Sequence, residues 1–170
     1  MREIQSADYK TVPWKNGLGV TTEIFVSPRG ILDFNWRVSI ATVEQDLPFS
    51  KFPGCERHLV VLEGSGMSLE FGDGQSLVFP LLVPQRFSGD LSAFGRLTQG
   101  AVRDFNLIVR RDFAKAELRV LKDHMRYKCL HAHALVHVIG GNSFVLEAGE
   151  SFDLEPSSIA LASEITLLRT

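Results

Sequence analysis

The chain has 170 residues, 45% hydrophobic and 22% charged, and 18 basic against 20 acidic side chains leave a net charge of −2. This is globular composition, and a chain of this length buries roughly 70% of its unfolded surface as one ordinary domain or two small fused ones, with no metal or disulfide needed. The near-neutral balance argues against nucleic acid as the main partner, which needs a clustered positive field, and no apolar stretch approaches the roughly 20 residues that span a bilayer.

The N-terminus, Met1 to Asp8, has no apolar core of the kind a signal peptide needs. Cys55 and Cys129 are too few and too far apart for a disulfide framework. Both are expected to be buried free thiols in a soluble cytoplasmic protein.

The first distinctive stretch is Trp14-Lys15-Asn16-Gly17-Leu18-Gly19-Val20-Thr21-Thr22-Glu23-Ile24. It is a polar loop that runs into a strand over 22–26. Glycine permits positive φ or a close backbone approach. Trp14 offers a stacking face, Asn16 donors and an acceptor, and Glu23 a carboxylate. A plain connecting loop with a structural tryptophan is the alternative.

Phe34-Asn35-Trp36-Arg37-Val38-Ser39-Ile40-Ala41 alternates strictly, so Phe34, Trp36, Val38 and Ile40 share one face and Asn35, Arg37 and Ser39 the other. Further strands are expected over 58–62, 67–71, 77–79, 105–109, 118–121, 134–139, 144–147 and 159–162. The run from Leu77 is short because Pro80 cannot donate to a central ladder. Asn16-Gly17, Pro53-Gly54 and Gly140-Gly141-Asn142 are turn chemistry. Residues 110–118 are the one weak helical stretch, too charged and short for more than a turn. Many short strands with turn signals between them predict an all-β sandwich or barrel.

An internal repeat accompanies the strands. The string at 58–64 resembles that at 134–140, 67–70 resembles 144–147, and 74–77 resembles 149–152. The unit would be strand, glycine turn, strand, glycine turn, strand, twice over.

Strand parity places Asp104, Asn106, Ile108 and Arg110 on one face. An arginine facing a barrel interior is costly to desolvate unless paired. Arg37, Arg57 and Arg110 are therefore solvated, salt-bridged, or clamps for an anion. His131, His133 and His137 fall at i, i+2 and i+6, a spacing that would put all three on one strand face, as metal ligands need. No acidic fourth ligand matches them. His58 with Glu63 is a second, weaker pair. There is no nucleophile elbow, phosphate-binding glycine loop or Cys-x-x-Cys.

These blocks resemble the HutD/Ves family of cupin-like bacterial proteins. The resemblance runs through the Trp14–Ile24 stretch, through Trp36-Arg37-Val38-Ser39-Ile40-Ala41, through Pro48-Phe49-Ser50-Lys51-Phe52-Pro53-Gly54-Cys55-Glu56-Arg57, and through Arg103-Asp104-Phe105-Asn106-Leu107-Ile108-Val109-Arg110-Arg111. It implies an all-β, cupin-like jelly roll with two barrel-like halves, placed here at 1–115 and 116–170. It also implies a link to histidine utilisation, with no settled enzymatic activity. The pocket it implies comprises Trp14, Asn16, Gly17, Thr21, Glu23, Arg37, Ser39, Arg57, Asp104, Asn106 and Arg110. The chain departs from the family pattern at Leu18, which replaces a glycine, and at Glu56, which replaces an aspartate. Where a metal-binding cupin has His-x-His and then Glu, this chain has Glu56-Arg57-His58 and then Glu63.

The expected function is non-enzymatic binding of an acidic histidine catabolite such as N-formylglutamate or urocanate. Arg37 and Arg57 would take carboxylates, Asn16 and Asn106 would read amide or formyl groups, and Glu23 or Asp104 would orient the arginines. No cofactor, nucleic-acid partner or membrane partner is expected, and the chain would be a monomer or homodimer. A metal-dependent cupin enzyme using His131, His133 and His137, and a protein-interaction regulator, are the alternatives.

Overall fold

Alternating runs bounded by glycine and proline leave no amphipathic helical stripe, and the fold follows. The computed structural model describes residues 1–14, 19–28 and 34–168. Among these residues the chain is all-β, in the double-sheet arrangement of a cupin-like jelly roll, with one short turn of 3-10 helix at Ser6–Asp8. No helix among them is long and apolar enough to cross a membrane.

Two compact units are present. One joins Met1–Tyr9 to Asp112–Thr170, and the other is Lys10–Arg111. The first nine residues belong with the C-terminal segment, because β1 (Arg2–Ile4) pairs antiparallel with a strand at Ser143–Glu147. Nothing in the sequence of β1 signals so distant a partner.

Within Lys10–Arg111, the strands are β2 (Lys10–Pro13), β3 (Gly19–Ser27), β4 (Trp36–Val43), β5 (Leu47–Phe49), β6 (Cys55–Glu63), β7 (Met67–Phe71), β8 (Ser76–Phe79), β9 (Gln85–Ser88), β10 (Ala93–Leu97) and β11 (Val102–Arg110). They form a six-stranded antiparallel sheet, β2-β3-β4-β11-β6-β9, and a four-stranded one, β5-β10-β7-β8. The core between them joins Val43, Leu59, Val61 and Val102 of the first sheet to Leu47, Met67, Leu69 and Phe79 of the second. The other unit contains β12 (Ala114–Lys122), β13 (Arg126–Lys128), β14 (His133–Val138), β15 (Ser143–Glu147), β16 (Ser151–Asp153) and β17 (Ile159–Leu167). Its sheets are β1-β15-β14-β17-β12 and β13-β16. Its own core includes Leu121, Ala134, Val136, Leu146, Phe152 and Ala162.

The weak helical stretch is a turn at 111–113 followed by β12, which pairs with β17 along nine residues. Tertiary pairing overrides its charged composition. The sequence repeat needs a larger correction. The pairing order β4-β11-β6-β9 recurs as β12-β17-β14-β15, and the β5–β10 pair recurs as β13–β16. The counterpart of β15 is therefore β9 and not β7, and the β7–β8 hairpin has no counterpart. The repeat offset of 76 is also one residue out at β6, since the inward residues Leu59 and Val61 match the inward Ala134 and Val136. A one-residue slip exchanges the two faces of a strand.

Leu69 is wholly buried in the first core. Leu69→Ala is expected to cost about 2–5 kcal/mol by lost transfer energy and the cavity left behind. Urea denaturation measures it, and a loss well under 1 kcal/mol would contradict this packing.

Candidate functional site

The register of three adjacent strands builds the site. Ile108 of β11 sits between Arg37 of β4 and Arg57 of β6, Asn106 sits between Ser39 and Leu59, and Asp104 sits between Ala41 and Val61. Side chains two apart share a face, so the two arginines flank Ile108 over a row of polar groups. They line a cavity of about 480 Å³ walled by Trp14, Thr21, Phe49, Ser50 and Phe52.

Arg57 is buried, with 5% of its surface exposed. A buried cation needs compensating partners. Its Nη2 donates to Oδ1 of Asn106 at 2.6 Å and its Nη1 to the Ser50 carbonyl at 3.1 Å. The rings of Phe87, Phe52 and Phe49 lie 5.0, 5.2 and 5.7 Å from the guanidinium carbon, within cation–π range. Burial lowers its pKa to about 10, so it stays cationic at neutral pH. Its Nε is buried and lacks a hydrogen-bond partner among the described residues.

Asn106 uses both ends of its amide. While Oδ1 accepts from Arg57, Nδ2 donates to Oδ1 of Asp104. Asp104 is fully buried, and its other oxygen has no hydrogen-bond partner among the described residues. Burial raises its pKa to about 7, against the opposing pull of the Arg57 charge and the Asn106 hydrogen bond. Arg37 is half-buried and ion-paired with Glu23 at 3.2 Å. Trp14 is pinned by its indole N–H, which donates to the Thr21 hydroxyl at 2.7 Å. A Cβ on Gly19 would lie 2.8 Å from that ring and 2.5 Å from the Thr42 carbonyl. Glycine at 19 therefore serves close approach.

Of the residues singled out in the sequence, Trp14, Thr21, Arg37, Ser39, Arg57 and Asn106 line the cavity. Glu23 stands behind Arg37 and Asp104 behind Asn106. Arg110 shares the parity of Ile108 but lies beyond the cavity lining. Asn16 and Gly17 lie outside the described residues, as does Leu18. Sequence reasoning missed Phe49, Ser50 and Phe52 as site residues. The resemblance includes their segment, but only its fold against β6 brings rings and a carbonyl onto Arg57.

The histidines do not converge. His131 precedes β14, so it does not share the strand parity of the other two. Its Nδ1 meets the Thr166 hydroxyl at 2.8 Å and its Nε2 lies 3.4 Å from Glu164. His133 meets Glu147 at 2.9 Å and His137 meets Ser143 at 3.0 Å. Among the described residues no group of three or more His, Cys, Asp or Glu side chains is placed to hold a metal. Glu63 pairs with Arg103 instead of facing His58. His58 is buried, and its pKa falls to about 4, chiefly through that burial and secondly through the charge of Arg86.

The Asp104 carboxyl has a pH signature in stability. The folded chain holds its proton up to about pH 7, whereas an ordinary carboxyl loses it near 3.8. Stability from this group is therefore present at low pH and lost as pH rises through that window. His58 has the opposite sign but is common to wild type and variant. The stability of Asp104→Asn relative to wild type should rise between pH 5 and pH 8 in urea denaturation. An equal difference at both pH values would contradict the burial of an ionisable Asp104.

The HutD family model matches residues 6–169. The protein is 43% identical over 119 residues to an uncharacterized 21.2 kDa protein in the hutC 3′ region of Pseudomonas putida, covering 68% of this chain and 62% of that protein. It is 39% identical over 108 residues to protein Ves of Escherichia fergusonii, covering 63% and 56%. The matches thus span less than two thirds of the length of these relatives. Among solved structures, HutD from Pseudomonas fluorescens, determined in a formate condition, superposes with a TM-score of 0.76 at 29% identity, over 99% of each chain. A conserved protein of unknown function from Pseudomonas aeruginosa gives 0.74 at 29% identity, again over 99% of each chain. With a family match along nearly its whole length, this chain belongs to the HutD family.

Proposed function

We propose that the protein binds, without chemical conversion, a small acidic intermediate of histidine breakdown, such as N-formylglutamate or urocanate, and that its occupancy modulates histidine utilisation. The single observation that carries this reading is the buried cation Arg57 at the cavity, with its Nε lacking a partner among the described residues. A guanidinium held through its two Nη atoms, with a third nitrogen buried and unpartnered, has hydrogen-bonding capacity left for a carboxylate. Arg37, oriented by Glu23, supplies a second positive group across Ile108. Trp14 gives an aromatic wall. Asn106 holds Arg57 in place through Oδ1 and spends one N–H on Asp104, so its second N–H is the donor left to meet a formyl or amide oxygen.

Binding is favoured over catalysis by the chemistry of the lining. Thr21, Ser39 and Ser50 bring hydroxyls, but no histidine or cysteine lines the cavity among the described residues. A hydroxyl without an adjacent imidazole is a weak nucleophile. The family membership and the hutC-region relative support the link to histidine utilisation.

The test is a thermal-shift titration against N-formylglutamate, urocanate, formiminoglutamate, glutamate and histidine. A ligand at about 100 times its Kd stabilises the native state by about 2.7 kcal/mol, which raises Tm by several degrees. A shift with an acidic catabolite, absent in Arg57→Ala, is the expected result. No shift with any of the five would overturn the reading.

A further inference from the structure

Arg57, Asn106 and Asp104 form one connected unit: guanidinium to amide oxygen, amide nitrogen to carboxyl. The amide permits only one orientation, with its acceptor toward the cation and its donors toward the carboxyl. Arg57 and Asp104 are therefore held at a fixed separation, and Asp104 acts as the counter-charge that any incoming anion must compete with. We infer that the cavity takes up its anion together with one proton, and that this proton is held on Asp104. The inference rests on the reading that the cavity accepts a carboxylate.

The local charge count leads to it. From β4 comes Arg37, and from β3 comes Glu23, ion-paired with Arg37 at 3.2 Å; Lys10 of β2 lies across from Glu23 but is exposed to solvent. From β6 come Arg57 and the thiol of Cys55. The facing sheet brings Leu47, Met67, Leu69 and Ala93, none of them titratable. Among the described residues Arg57 is thus the one buried cation of the site, with Asp104 as its counter-ion. With Asp104 ionised, the buried Arg57–Asp104 pair is already neutral, and a bound monoanion would have only Arg37, itself paired with Glu23, to answer its charge in a desolvated site, which is unfavourable. With Asp104 protonated, the anion and Arg57 neutralise each other.

The step forms one O–H bond, on Oδ2 of Asp104, with the proton drawn from solvent, and breaks none in the protein. Oδ2 has no hydrogen-bond partner to lose among the described residues. The neighbours of Asp104 across the sheet, Ala41 and Val61, are apolar, so no adjacent group competes for the proton. Arg57 at present favours the ionised carboxyl, since its charge lowers a pKa that burial raises to about 7. An anion on Arg57 cancels that pull, and linkage requires the reciprocal effect: protonation strengthens anion binding. Asp104 is then a positioning residue that also sets the pH range over which the site fills.

Formate is a suitable probe, because it is the smallest carboxylate and stays ionised across the range tested. Its Kd, measured by NMR titration, should be nearly flat below pH 6. It should weaken above pH 7.5, approaching tenfold per pH unit for one linked proton. Near pH 7.5, binding in weakly buffered solution should take up most of one proton, since only a minority of free Asp104 already carries it there. The carboxyl-carbon resonance of Asp104 should titrate at higher pH with formate present than without it, an observable that needs no variant. Asp104→Asn should bind with a Kd independent of pH and with no proton uptake, whereas Glu23→Gln should keep the pH dependence. Formate binding by the wild type that is independent of pH and takes up no proton would overturn this inference alone. A pH dependence that survives Asp104→Asn, or an Asp104 resonance that formate does not move, would overturn the assignment to Asp104. Failure of formate to bind at any pH would overturn the carboxylate reading, and this inference with it.

Discussion

The site depends on keeping a guanidinium inside a protein. A buried cation is tolerated only when its field is met by acceptors, rings or an opposite charge. Arg57 has all three in the Ser50 carbonyl, the three phenyl rings, and the chain through Asn106 to Asp104. None of these partners is near it in sequence except the Ser50 and Phe52 segment. The rest arrive through sheet register. The cavity is thus a product of how β4, β11 and β6 align, and a shift of any one by a single residue would turn its polar row away.

Much of this frame was legible in the chain. The alternation in β4 separated Trp36, Val38 and Ile40 from Arg37 and Ser39, and parity in β11 put Asp104, Asn106 and Ile108 on one face. What parity could not supply was depth. Asp104 and Asn106 share a face, yet one is sealed beneath the other. Arg110 shares it too, yet lies beyond the cavity. Where a side chain stands along a strand depends on the facing sheet, and the short strands β5 and β10 that help form that sheet carry almost no periodic signal.

The histidines illustrate the same limit in reverse. Their even spacing holds only if one strand contains all three, and β14 begins at His133. The sequence repeat failed in a related way. Generic strands resemble one another, so its strings aligned β15 with β7, whereas the ladders align it with β9. Connectivity carries the true correspondence, because each strand's two neighbours are fixed by hydrogen bonds and not by residue type.

That recurring order also carries an electrostatic contrast. In the first unit Asn106 pairs across to the inward-facing Leu59, and in the second Glu164 pairs across to the inward-facing Ala134. Glu164 is buried, with Arg119 and His131 each 3.4 Å away. Where one frame holds an amide braced against a cation, the other holds a carboxylate. The frame is thus used twice with opposite electrostatic sense, a cation-braced amide in one unit and a buried carboxylate in the other.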